Sequence, residues 1–196
     1  MAIMGRPREF DMNHALDRAI EVFWRHGYEG ASVADLTEAM GINPPSLYAA
    51  FGNKEGLFRR AIDRYVEHHG AYWNKALEAP TARAMVEQLL HGCADFLSQE
   101  CNPPGCLFVR STASCGGATD EIRHKLTARR AEGEGRVRKC LEDANANGEL
   151  PPGLDPAEFA RYVLAVIEGM SVQAAAGANR EQLHRVADMA LRAWPA

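Results

Sequence analysis

SVADLTEAMGINPPSLYAAFGNK, residues 32–54, reads as two short helices joined by a tight turn. Ser32 suits the cap of the first helix, and Asp35 three residues on completes a capping-box pattern. Val33, Leu36 and Met40 then share one face at helical spacing. Gly41 stands where a left-handed backbone angle stops the helix, and Asn43 can cap the next one. Pro44 takes the first helical position, where a missing N–H costs nothing. Leu47 and Phe51, four apart, point inward together. Ser46, Tyr48, Ala49 and Ala50 then face outward with no packing role to explain them. The pattern is a helix-turn-helix, whose second helix can enter a DNA major groove.

Working outward, residues 11–26 predict a first helix with Met12, Leu16, Ala19, Ile20 and Phe23 as its apolar stripe, Asp11 as its cap and Gly27 as its end. Residues 1–10 have no periodicity. Their GRPR at 5–8 reads either as a minor-groove arm or as a disordered terminus. After the cap at Asn53, one helix is expected over about residues 54–77 and another over about 81–99, capped by Thr81. Asn102-Pro103-Pro104-Gly105 is a break, 106–113 a short apolar segment, and 119–146 a long polar helix with Ile122, Leu126, Val137 and Leu141 inward. Residues 155–176 are apolar on nearly every side, so a second cover is needed. With Leu183, Val186, Ala190, Leu191 and Trp194 they suggest a twofold homodimer built from residues 155–194. No strand candidate and no repeat stands out. The expectation is an all-α chain of about nine helices, with a helix-turn-helix domain at 1–53 and a larger helical sensor and dimerisation domain at 54–196.

Composition narrows the function. The chain has 196 residues, 46% of them hydrophobic, enough for a sizeable core. No apolar run approaches the ~18 residues of a membrane span, and nothing resembles a signal peptide, which points to the cytoplasm and no membrane partner. Five cysteines without a CxxC pair fit reduced thiols better than a disulfide framework or a zinc ribbon. Residues 1–60 carry 7 basic and 8 acidic side chains, so the usual basic footprint of a DNA-binding domain is missing. The cations must act by position: Arg6 and Arg8 in the tail, and Lys54, Arg59 and Arg60 behind the second short helix.

The first sixty residues resemble the DNA-binding domain of the tetracycline-repressor (TetR) family. The likeness rests on Gly27-Tyr28, Ser32-Val33-Ala34-Asp35-Leu36, Gly41-Ile42 and Ser46-Leu47-Tyr48-x-x-Phe51-x-x-Lys54-x-x-Leu57. It implies a regulator, most often a repressor, that holds a pseudo-palindromic double-stranded operator as a dimer and is released by a small molecule. Carried over, the DNA contacts are Ser32, Val33, Asn43, Pro44, Pro45, Ser46, Tyr48, Ala49 and Lys54, the last on a phosphate. Two helix N-termini would add N–H groups for phosphates. Pro44-Pro45 and Ala49-Ala50 leave few polar base readers, so shape and phosphate contacts should weigh more.

Gly105-Cys106-Leu107, with Cys115 and a helix start at Asp120, is similar to a branch whose members respond to electrophiles or oxidants through a cysteine at the place of Cys106; one relative is linked to copper. A thiol at a helix N-terminus would have a lowered pKa; otherwise Cys106 is a small buried hydrophobe. A noncovalent pocket lined by Trp73, Phe96, Phe108 and Met170 is the alternative sensor. A metal site from His68, His69, His91, Cys93 and Cys101 finds little support, because His91 and Cys93 point apart on a helix. No cofactor is called for. The enzyme reading fails on its motifs: Gly169-Met170-Ser171-Val172-Gln173 lacks the final Gly and the strand of a nucleophile elbow, and Gly133-Glu134-Gly135 lies within a helix. A helical protein-interaction module would leave residues 43–54 unexplained.

Overall fold

Asp11 opens α1 (Met12–Gly30): its carboxylate accepts from the N–H groups of Asn13 at 2.8 Å and His14 at 3.3 Å, donors that a helix start leaves without partners. The structure, a computed structural model, describes residues 10–113 and 120–194. Arg6, Arg8 and Cys115 lie outside these residues. Gly27, at φ 71° and ψ 178°, breaks the helical backbone of α1 at the expected point, and one further turn follows it. Then come α2 (Val33–Met40), α3 (Pro44–Phe51), α4 (Lys54–His69), α5 (Ala71–Leu77) and α6 (Ala82–Leu97). After the Asn102 to Gly105 break, the chain forms α7 (Leu107–Ala113), α8 (Asp120–Ala146), α9 (Pro156–Ala175) and α10 (Arg180–Leu191). All described secondary structure is helical.

The single helix expected over 54–77 is two helices, which makes ten rather than nine among the described residues. Gly70 is the cause. Its N–H closes α4 on the Val66 carbonyl at 2.9 Å, and its own carbonyl accepts from Asn74 to start α5. A Cβ at Gly70 would lie 2.4 Å from the Val66 oxygen, so the turn needs a residue without a side chain. The turn lays α5 on α6, where the Tyr72 ring fills the space a side chain at Gly92 would occupy.

The core where α1 meets α4 is aromatic. Phe23 meets Phe58 edge-on with centroids 4.8 Å apart, and Tyr28 lies 4.9 Å from Phe58. Trp24 continues this cluster toward Tyr65 and Phe96. Asp17 of α1 takes two hydrogen bonds from Arg64 of α4, at 2.5 and 2.7 Å. These bonds hold the Asp17 carboxyl below the usual carboxylate range. A carboxyl depressed by folding stabilises above its unfolded pKa of about 3.9 and loses that stabilisation as pH falls through the folded value. Asp17→Asn is therefore expected to cost about 1 kcal/mol or less at pH 7, since the pair is partly solvated. The difference between variant and wild type should be smaller at pH 3 than at pH 7, read from urea midpoints at both values.

Ile122, Leu126, Val137 and Leu141 of α8 are buried as expected. The two last helices divide their apolar residues. Val163, Met170 and Ala174 of α9 and Leu183, Ala187 and Ala190 of α10 turn into the protomer. Val172 (55% exposed) and Met189 (60%), with Tyr162 and Val186, stay at the surface. Leu183 and Ala190, which the sequence put on the outer face, belong to the core instead, because α10 packs on both α6 and α9. No helix of the described residues is long and apolar enough to cross a membrane.

Candidate functional site

Capping and two buried side chains position α3. Ser32 and Asp35 form the full capping box of α2: the Ser32 hydroxyl accepts from the Asp35 N–H at 3.1 Å, and the Asp35 carboxylate accepts from the Ser32 N–H at 3.0 Å. The Ser32 hydroxyl proton is also held by Asp35, at 2.6 Å. Those bonds keep the exposed Asp35 carboxyl below its ordinary range. Gly41, at φ 67°, makes the left-handed stop that no residue with a side chain adopts freely. Asn43 then caps α3 through the Ser46 N–H at 2.9 Å. Leu47 and Phe51 anchor α3 inward, at 0% and 7% exposure.

The outer face is open. Tyr48 is 49% exposed, and Asn43, Pro44, Pro45 and Ala49 are exposed with it. Ser46 and Val33 are half-buried at its edge. The two helix starts differ as anion sites. In α3, Pro44 and Pro45 have no N–H, while the Ser46 and Leu47 amides both bond to Asn43. The expected N–H donors are thus missing from the first turn of α3, and only α2, whose cap leaves out the Val33 and Ala34 amides, suits a phosphate in this way.

Lys54 opens α4 beside this face. Its ammonium lies 4.6 Å from the centre of the Tyr28 ring and 3.5 Å from the Glu29 carbonyl oxygen. Partial burial pushes its pKa down, and Glu29 pulls it back. Arg59 is not available as a cation for DNA: it is bridged to Glu55 at 2.5 Å and to Glu121. Arg60 is exposed and lies over the Phe51 ring.

A second feature lies between α4, α5, α6, α7, α8 and α9: a cavity of about 400 Å³. Trp73, Phe96 and Phe108 line it as expected; Met170 does not, and sits instead in the groove between α9 and α10. Tyr65, Tyr72, Leu164 and Ile167 complete the apolar wall, with Arg129, Arg130 and Arg136 toward α8. These residues escaped the sequence reading because Tyr65 and Ile167 keep ordinary helical spacing, which reads as core. The one available signal was Gly133 in a long polar helix, where the Trp73 ring packs at 3.6 Å from the position of a Cβ.

Cys106 is on the wall of this cavity, half-buried, with the Tyr65 hydroxyl 3.6 Å from its sulfur. Burial pushes its thiol up, while Tyr65 and the amides of Val109 and Phe108 pull it down. The helix N-terminus expected to activate it is present but outweighed. Cys93, deeper in the same wall, is also raised by burial. Among the described residues no group of three or more His, Cys, Asp or Glu side chains could hold a metal. His91 turns away from Cys93 and meets His184 of α10 at 2.8 Å.

Comparison with known proteins agrees with this geometry. Residues 15–61 match the model of the bacterial regulatory proteins, tetR family, and residues 80–190 match that of the tetracyclin repressor-like C-terminal domain. The HTH-type transcriptional repressor ComR of Escherichia coli (strain K12) is 37% identical over 193 residues, 97% of this chain and 92% of that protein. A solved structure of the TetR family transcriptional regulator CifR, a cysteine mutant complexed with 26-bp double-strand operator DNA, superposes with a TM-score of 0.92 at 45% identity. That match covers 97% of this chain and all of the other. The reduced form of E. coli NemR, at 20% identity and a TM-score of 0.77, shares the fold over 93% of this chain and 97% of its own. Its helix-turn-helix, its C-terminal helices and relatives that match nearly end to end place this chain in the TetR family of DNA-binding transcriptional regulators, which are not enzymes.

Proposed function

We propose that the protein is a cytoplasmic homodimeric repressor whose two copies of α3 enter successive major grooves of a pseudo-palindromic operator. The half-site centres would be about 34–36 Å apart, or further on a long site. The carrying observation is that α3 is anchored by Leu47 and Phe51, with Ala50 half-buried beside them rather than outward, while Tyr48 and Ala49 stand exposed without a packing role. On this reading Ser32, Val33, Asn43, Pro44, Pro45, Ser46, Tyr48, Ala49 and Lys54 form the DNA face. Tyr48 and Lys54 reach phosphates, and Ala49 allows a thymine methyl to approach. Residues 1–53 act as the reading head and 54–196 as the sensor and dimerisation part, with 155–194 forming the interface. The exposed Val172, Val186 and Met189 support that interface.

The cavity supports release by a small apolar molecule, and the place of Cys106 in its wall supports a covalent variant of the same release by an electrophile. Either would shift the population toward a head spacing that no longer fits the operator. Fluorescence anisotropy on the DNA flanking the protein's own gene tests the central reading through its salt dependence. Lys54→Ala is expected to weaken binding alike on all sequences and to lower the salt slope by about one. A slope equal to that of the wild type would remove Lys54 from the phosphate contacts, and absence of any salt-dependent binding would remove the DNA face.

A further inference from the structure

One peptide unit is held from both halves of the molecule. The Gly105 carbonyl accepts the indole N–H of Trp24 of α1 at 2.9 Å, in a buried bond. The amide of the same unit, on Cys106, donates to the Ser171 hydroxyl of α9 at 2.8 Å. Gly105 stands at φ +88°, and a Cβ there would lie 3.1 Å from the Ser171 carbonyl oxygen and 3.2 Å from the Ala175 Cβ. The unit is therefore seated directly on α9, in a conformation that suits glycine. On its other side the Trp24 ring touches three cavity-lining residues: Tyr65 edge-on at 4.9 Å, His69 at 5.1 Å and Phe96 stacked at 5.7 Å.

We propose that the Gly105–Cys106 peptide is the coupler that carries occupancy of the cavity, or a substituent on Cys106, to the reading head. This rests on the cavity and Cys106 being the sensor. The physical reason is the absence of slack. Trp24 and Gly105 are buried, so a tilt of the peptide leaves an indole N–H or a carbonyl without a partner in apolar surroundings. A group added at the Cys106 sulfur must take room beside Tyr65 and Phe108, and the peptide that carries it is the one bonded to Trp24. Withdrawing the Gly105 carbonyl removes a buried tie on α1, which packs on α2 and so bears the helix-turn-helix.

Two variants cut the unit on opposite sides: Trp24→Phe keeps a ring but removes the N–H, and Ser171→Ala removes the hydroxyl on α9. The first measurement involves no thiol chemistry. Hydrogen exchange of the Trp24 indole, assigned in ¹⁵N spectra by its loss in Trp24→Phe, is expected to quicken by about ten-fold or more in Ser171→Ala. Unchanged protection overturns the coupler. The second measurement uses iodoacetamide, with alkylation of Cys106 followed by peptide mass and operator binding by anisotropy. Wild type is expected to lose affinity by about ten-fold or more, within the usual range of coupling, and Trp24→Phe alkylated to the same extent by about two-fold or less. Equal losses overturn the coupler, and should Trp24→Phe fold poorly, Ser171→Ala is compared with wild type in the same way. If alkylated wild type keeps its full affinity, it is the Cys106 sensor that fails, and indole exchange alone then decides whether the coupler stands.

Discussion

Phe58→Ala is expected to lower the folding free energy by about 3–5 kcal/mol, the range for deleting a buried ring from a packed core. Phe58 is fully buried, with Phe23 edge-on at 4.8 Å and Tyr28 at 4.9 Å. The ring is what α1 and α4 close upon, and α4 in turn carries α3. Against a typical total of about 5–15 kcal/mol, such a loss is a large fraction of the whole. Operator binding should fall with it, because the helix-turn-helix has no other seat. Urea unfolding followed by circular dichroism reads the loss directly. A cost under about 1.5 kcal/mol would mean that the surrounding rings collapse into the space and that this contact does not set the head. Tyr48→Ala is the control: Tyr48 is half exposed, so stability should change by about 0.5 kcal/mol or less while operator affinity falls.

The second large effect concerns the pairing surface. Val172→Glu combined with Met189→Glu is expected to leave each protomer folded, since both side chains are more than half exposed in it. Four charges would then be brought together across a twofold contact, because an isologous interface repeats each substitution on both sides. Analytical ultracentrifugation should show a monomer at micromolar concentration. Operator affinity should drop by about 10² or more, the gain that bivalent attachment confers over one site. A variant that still sediments as a dimer would place the interface elsewhere than α9 and α10. Unchanged operator affinity in a monomer would show that one head suffices.

Much of the reading head is legible in residues 32–54. Its features are local: a capping box spans three residues, Gly41 acts at its own φ, and Leu47 and Phe51 are one turn apart. Such signals depend on neighbours along the chain and survive whatever the rest of the fold does. For the same reason most helix limits were predictable, including the caps at Asp11, Asn53 and Thr81. The break at Gly70 was missed because a lone glycine inside an apolar-periodic run has two readings. Only the need to lay Tyr72 on Gly92 chooses between them.

The chain by itself determined an all-helical fold with an outward-facing Tyr48 and an inward-facing Leu47, since backbone hydrogen bonding and period set those directions within a turn or two. Tertiary structure alone decided that Arg59 is bridged to Glu121 of α8, that Leu183 faces the core, that Met170 misses the cavity and that burial keeps the Cys106 thiol high. It alone also placed the Gly105–Cys106 peptide between Trp24 and Ser171, which are 147 residues apart in the chain. Charge pairing, burial and bonds of that span depend on which helices meet, and nothing in local spacing encodes that meeting.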